Sequence, residues 1–171
     1  MSTTSASPAN SWTKLNINLH WLVVALLVAQ YVDGGWMIEF FDSGIENTVV
    51  PMTTVGLGYL HMALGLTVLA AVLLRLWDRY AHGRPEHAAT DPNWATILAK
   101  VTHFGIYAVV ISMPIAGLIT WLTSNEWLGD MHAQASDLLL VLLALHVGGA
   151  LVNHFHFKNN VLKRMMPGQG R

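Results

Sequence analysis

Four stretches of the chain are long runs of apolar positions with few charges, each close to the roughly 20 residues that a helix needs to cross the hydrocarbon core of a bilayer. They cover about residues 15–32, 55–77, 95–122 and 131–157, and the last two overrun the apolar length and include Lys100 and Asp137. Pro114 and Gly117 fall inside the third run. They predict a kink there, since a membrane helix tolerates Pro where neighbours satisfy the freed carbonyl. Four crossings use most of the chain, so the predicted fold class is all-α: an integral membrane four-helix bundle over residues 14–166. A polar tail at 1–13, expected to be disordered and not a cleaved leader, precedes it, and a short tail at 167–171 follows.

Composition supports the membrane reading. Hydrophobic residues make up 53% of the 171 and charged residues only 11%, against about 25% charged in an ordinary soluble domain. Nine Lys plus Arg against ten Asp plus Glu give a net charge of -1, so there is no basic excess to bind nucleic acid by counterion release. There is no Cys, which excludes disulfides, thiolate metal sites and iron–sulfur clusters.

The distribution of charge sets an orientation. Lys14, Arg75, Arg79, Arg84, Lys100, Lys158, Lys163, Arg164 and Arg171 all fall on one side of the four crossings. Asp33, Glu39, Asp42 and Glu46, then Glu126 and Asp130, fall in the predicted connections on the other side. The excess of Lys and Arg on cytoplasmic loops therefore predicts that both termini are cytoplasmic. Trp12, Trp36, Trp77, Trp94 and Trp127 lie at or near the predicted segment ends, where interfacial Trp belongs.

The chemistry lies in the histidines, of which there are nine. A lone His near a membrane interface is commonly a packing or interfacial group. Six of them, His20, His61, His103, His132, His146 and His154, fall within the apolar segments, where ionisable groups are costly and usually functional. His132 and His146 are fourteen residues apart on one predicted helix, which turns about 1400° and rises about 21 Å, so both rings point the same way at two depths. Two stacked metal sites follow. Without Cys, opposed imidazoles across helices best match b-type haem with two axial His; a non-haem metal is disfavoured by the scarcity of nearby carboxylates. The outer site pairs His132 with His61 at similar depth, whereas the inner site pairs His146 with either His20 or His103. Gly65, Gly148 and Gly149 lie near these positions and would leave room for a flat macrocycle, or serve ordinary helix packing.

These residues resemble the bacterial cytochrome b561 family, related to the cytochrome b subunit of nickel–iron hydrogenases. The likeness covers about residues 14–167. It rests on Ile17-Asn18-Leu19-His20-Trp21-Leu22, on Leu60-His61-Met62-Ala63-Leu64-Gly65 with Leu74-Arg75-Leu76, and on His103 with Tyr107, Pro114 and Gly117-Leu118. It continues through His132, Leu145-His146, His154 and Lys158 to Leu162-Lys163-Arg164-Met165-Met166-Pro167. The resemblance implies a bundle in the bacterial inner membrane with two b haems, the inner on His20 and His146 and the outer on His61 and His132. It is closest to the family's superoxide oxidase branch, and so implies an oxidoreductase that takes electrons from superoxide at the periplasmic face and delivers them to ubiquinone. His103 and His154 match His positions of that branch that are not axial ligands.

Two functions are thus in competition. In the enzyme, His154, His103, Lys100, Arg75, Lys158 and His156 form a quinone or proton site on the cytoplasmic side; the same cations also fit positive-inside bias or haem propionate pairing. The outer connections carry no cation to attract superoxide, so positive potential falls to the metal sites, protonated imidazole or the helix N-termini expected near Val55 and Met131. In the alternative, a dehydrogenase or soluble cytochrome docks on one face, the acidic connection from Asp33 to Glu46 being the candidate surface for a basic redox partner protein. A non-haem transporter leaves the His pairing unexplained.

Overall fold

A computed structural model describes residues 11–83, 92–159 and 161–168. Four long helices carry the fold: α1 (Lys14–Glu46), α2 (Met52–His82), α3 (Asn93–Thr123) and α4 (Glu126–Phe155), followed by the single turn α5 (Val161–Arg164). All four long helices are apolar enough to cross a membrane, and no strand occurs among the described residues. In lipid the backbone must satisfy its own hydrogen bonds, and unbroken helices do so. Residues 1–10 of the predicted tail, residues 169–171 and the cations Arg84 and Arg171 lie outside the described residues.

The first three helices run further than their apolar runs at both ends, while α4 opens earlier than its run and ends two residues short of it, at Phe155. The largest correction is α1, expected to end at residue 32 and observed to continue through Asp33, Gly34 and Gly35 to Glu46. Polarity does not end a helix unless it supplies a cap, and here the cap comes at Asn47, in the left-handed region with φ 54°, whose N–H bonds the Ser43 carbonyl. At 33 residues α1 is about 50 Å long, so its last turns extend past a hydrocarbon core of about 30 Å. Glu39, Asp42 and Glu46 therefore stand on a helix and not in a loop. α2 and α4 likewise open at Met52 and Glu126, ahead of the expected Val55 and Met131. Asn125 starts α4: its side chain accepts from Leu128 N–H, and Glu126 sits in the first turn where the helix dipole favours an acid. α3 continues unbroken through Pro114. Thr13, assigned by sequence to the tail, is the N-cap of α1 and accepts from Asn16 N–H.

The helices form two hairpins, α1–α2 and α3–α4, which meet chiefly where α2 faces α3. One end of the bundle, the terminal face, carries the start of α1 and the end of α4; the opposite hairpin face carries the 47–51 and 124–125 connections. A buried apolar cluster of Leu19, Val23, Val68, Ala71, Val72, Val110 and Leu139 draws on all four helices. Leu139 lies midway along α4 between His132 and His146, so this layer separates the two His levels. Val28, Val32, Val101, Phe104, Leu122 and Val141 are exposed, as a lipid-facing surface requires.

A buried polar knot ties α1 to α2 at the terminal face. Thr13 Oγ1 donates to Asp78 Oδ2 at 2.6 Å, and Asn16 Nδ2 donates to the same oxygen and to the Arg75 carbonyl, each at 3.1 Å. Arg75 Nε returns a bond to Asn16 Oδ1 at 3.1 Å, and His82 Nδ1 lies 3.1 Å from Asp78 Oδ1. Asn16 and Asp78 are almost wholly buried. Removing one acceptor leaves buried donors unpaired, at a cost of about 1–3 kcal/mol. Asp78→Ala is therefore expected to lower the thermal unfolding midpoint in detergent, followed by circular dichroism, with Leu73→Ala on the exposed surface as a control that leaves it nearly unchanged.

Candidate functional site

The four long helices bring two pairs of imidazoles together across the gap between the hairpins. His61 on α2 faces His132 on α4 with ring centroids 6.3 Å apart, and His20 on α1 faces His146 on α4 at 6.2 Å. The two pairs lie toward the hairpin face and the terminal face respectively. Two rings that ligate one metal ion from opposite sides, with nitrogens about 2.0 Å from the metal and about 1.1 Å from each ring centre, have centroids about 6.2 Å apart. Both pairs have this separation. His103 on α3 stands only 4.9 Å from His146 between ring centroids, too close for a metal between them, and its Nδ1 lies 2.6 Å from the Ala99 carbonyl of its own helix. Ring geometry thus distinguishes His20 from His103, which depth along the sequence does not.

Hydrogen bonds orient the hairpin-face pair. His132 Nδ1 lies 2.9 Å from the Met113 carbonyl, an acceptor, so that nitrogen carries the proton and the Nε2 lone pair is left for a metal. Gly117 makes room for the ring: a Cβ there would stand 3.1 Å from His132 Cε1 and 3.2 Å from Nδ1. His61 Nδ1 lies 2.7 Å from Asp33 Oδ1, and Asp33 is 4% exposed. This corrects the placement of Asp33 in an outer connection: it faces the bundle, three residues after Gln30, whose Nε2 donates to the His61 carbonyl at 2.7 Å. In the sequence its charge marks the end of the first apolar run, which hides its place on the helix. The signal available was the helical spacing of Gln30 and Asp33 ahead of Trp36, Met37, Phe40 and Phe41, which continue an apolar face.

Each pair supplies two donors. Among the described residues no group of three or more His, Cys, Asp or Glu is placed to hold a metal ion. A metal between either pair must therefore draw further donors from elsewhere, as iron does from the four nitrogens of a porphyrin. At Gly148 and Gly149, just past His146, an added Cβ would meet nothing within 4 Å among the described residues, whereas at Gly65 it would approach Gln30 Nε2 at 3.5 Å.

The residues expected to form a quinone or proton site are only partly gathered. Arg75 and His103 are near the terminal-face pair, Arg75 through the Asn16 knot and His103 through His146. Lys100 and Lys158 are exposed, and no hydrogen bond among the described residues joins either of them, or His154, to Arg75. His154 is half-buried, and its Nδ1 is buried without a hydrogen-bond partner among the described residues.

Comparison with known proteins places the whole chain in a family. The prokaryotic cytochrome b561 family matches residues 11–168. A cytochrome b562 of Cereibacter sphaeroides is 30% identical, over 91% of this chain and 94% of that protein. Cytochrome b561 homolog 1 of Escherichia coli is 25% identical, over 92% and 98%. A probable superoxide oxidase, CybB, of Yersinia pestis is 23% identical, over 90% and 94%. The long apolar helices, the facing histidines and this match over nearly the whole length lead to one conclusion: the chain belongs to the prokaryotic cytochrome b561 family of haem b-binding, electron-transferring proteins of the bacterial inner membrane.

Proposed function

We propose that the chain carries single electrons across the inner membrane from superoxide to ubiquinone, with His61 and His132 ligating one b haem near the periplasm and His20 and His146 a second near the cytoplasm. The observation that supports this most is the pair of equally spaced imidazole couples at two depths along α4. Haem, when bound, supplies a one-electron iron couple; the protein's own residues do the rest. Met113 and Asp33 hold the ligand rings in the tautomer that leaves Nε2 free. The apolar layer around Val68, Val72 and Leu139 keeps water out between the two levels. In this reading both termini are cytoplasmic, as the Lys and Arg side of the chain favours.

The stoichiometry balances without a further reactant. Two superoxide anions yield two molecules of dioxygen and two electrons, and one ubiquinone takes up those electrons with two protons from the cytoplasmic side. Arg75, His103 and His154 are the proposed quinone and proton groups, with Lys100 and Lys158 at the entrance. Superoxide has no cation to attract it at the hairpin face, where Glu39, Asp42, Glu46, Glu126 and Asp130 lie. This acidic end favours a second reading, in which a basic redox partner protein docks there and the chain relays its electrons to the quinone pool.

Two measurements test these readings. His61→Ala or His132→Ala is expected to remove one haem from the visible spectrum and leave the other, with His20→Ala or His146→Ala removing the complementary one and His103→Ala removing neither; retention of both haems in the His61 and His132 variants contradicts the ligand assignment. The purified chain given superoxide and a water-soluble ubiquinone, with no other protein, is expected to form quinol in a reaction that superoxide dismutase abolishes. Quinol formation only after a soluble cytochrome or dehydrogenase is added selects the relay.

A further inference from the structure

Asp33 is a carboxylic acid at membrane depth, almost wholly buried, and its described partner is the Nδ1 of His61 at 2.7 Å. Its second oxygen, Oδ2, is buried with no hydrogen-bond partner among the described residues. Such a group is expensive in lipid and is retained where it acts on something. The three other paired histidines differ. His132 Nδ1 faces a neutral backbone carbonyl, and no carboxylate among the described residues is hydrogen-bonded to His20 or His146. The buried carboxylate nearest the terminal face, Asp78, is engaged by Thr13, Asn16 and His82, and the charged group beside that pair is the cation Arg75, bonded to Asn16 one turn ahead of His20 on α1.

We infer that Asp33 is a positioning residue that fixes His61 with Nε2 toward the metal and, by drawing on the Nδ1–H, holds the iron at the hairpin-face site at a lower reduction potential than iron at the terminal-face site. The inference rests on the reading that His61 ligates haem iron. A carboxylate accepting from the far nitrogen of a ligated imidazole makes that ring a stronger electron donor, and an outer partner of this kind is a recognised means of tuning a metal site. Its negative charge in a low-dielectric interior also favours the ferric over the ferrous state. At the other pair the Arg75 cation acts in the opposite sense. The two sites therefore form a downhill step for an electron entering at the hairpin face and leaving at the terminal face. The protein fixes the direction of flow with one buried acid and one half-buried cation, without changing the axial ligand type.

The test is a potentiometric titration of the intact haem-loaded protein, with each haem assigned by its absence in the His61→Ala and His20→Ala variants. In Asp33→Asn, which keeps an oxygen to accept from His61 but loses the charge, the midpoint of the hairpin-face haem is expected to rise and that of the terminal-face haem to stay, narrowing the gap. Asp33→Glu, which restores a carboxylate, is expected to fall back toward the native midpoint. The low-spin electron paramagnetic resonance signal of the same haem should shift in Asp33→Asn and not in Asp33→Glu. An unchanged gap in Asp33→Asn, or equal changes in the Asn and Glu variants, overturns the inference. If Asp33→Asn loses the hairpin-face haem while keeping the other, retention in Asp33→Glu supports the role of the carboxylate, and loss in both variants overturns it. Retention of both haems in His61→Ala is a separate failure, of the ligand assignment itself.

Discussion

An imidazole held at bilayer depth must find a partner for each of its two nitrogens, because there is no water to supply one. The bundle is organised around this constraint. His61 and His132 each turn Nδ1 to an acceptor of the protein, the Asp33 carboxylate and the Met113 carbonyl, which leaves Nε2 of both rings for whatever lies between the hairpins. Asp33 is supplied by the length of α1, and Met113 is presented by α3 just ahead of Pro114, one turn from the glycine that makes room for the ring. The helices are therefore more than spacers of suitable length. Their registers deliver the groups that make polar rings tolerable in lipid.

The division into two hairpins follows from the same demand. Within a hairpin, short connections and apolar faces pack helices closely, as in α3–α4 with its tight turn at Ser124 and Asn125. Between hairpins the contact is sparser, and both 6 Å imidazole pairs span that gap. α4 contributes to both pairs because fourteen residues come within about 40° of four full turns. The cluster at Leu139 then fills the space between the two levels. Asn16, Arg75 and Asp78 lock α1 to α2 at the terminal face, where a polar knot can reach the membrane surface.

Much of this was legible in the residues. Four apolar runs predict four helices because burial in lipid leaves few alternatives, and His132 and His146 declare their shared face through simple helical arithmetic. The limits are equally physical. Apolar run length measures what lipid tolerates and not where hydrogen bonding stops, so it predicts an end of α1 at residue 32 and a connection at Asp33 where the helix in fact continues. An acid that bonds a ring on another helix has no local signature. Depth alone leaves His20 and His103 equivalent partners for His146, since both stand a few turns in from the same end. Only the rotation and approach of the helices separate a ring 6.2 Å from His146 from a neighbour at 4.9 Å.

Two opposed imidazole pairs amount to a claim about how many haems one chain holds and how each is ligated. The most direct measurement is the haem content of the purified, haem-supplied protein by pyridine haemochrome against quantitative amino-acid analysis, with the spin state of the oxidised iron read by electron paramagnetic resonance. Two b haems per chain, both low-spin as two axial imidazoles require, is the predicted result. One haem per chain, or a persistent high-spin signal from an iron with an open axial position, would contradict it.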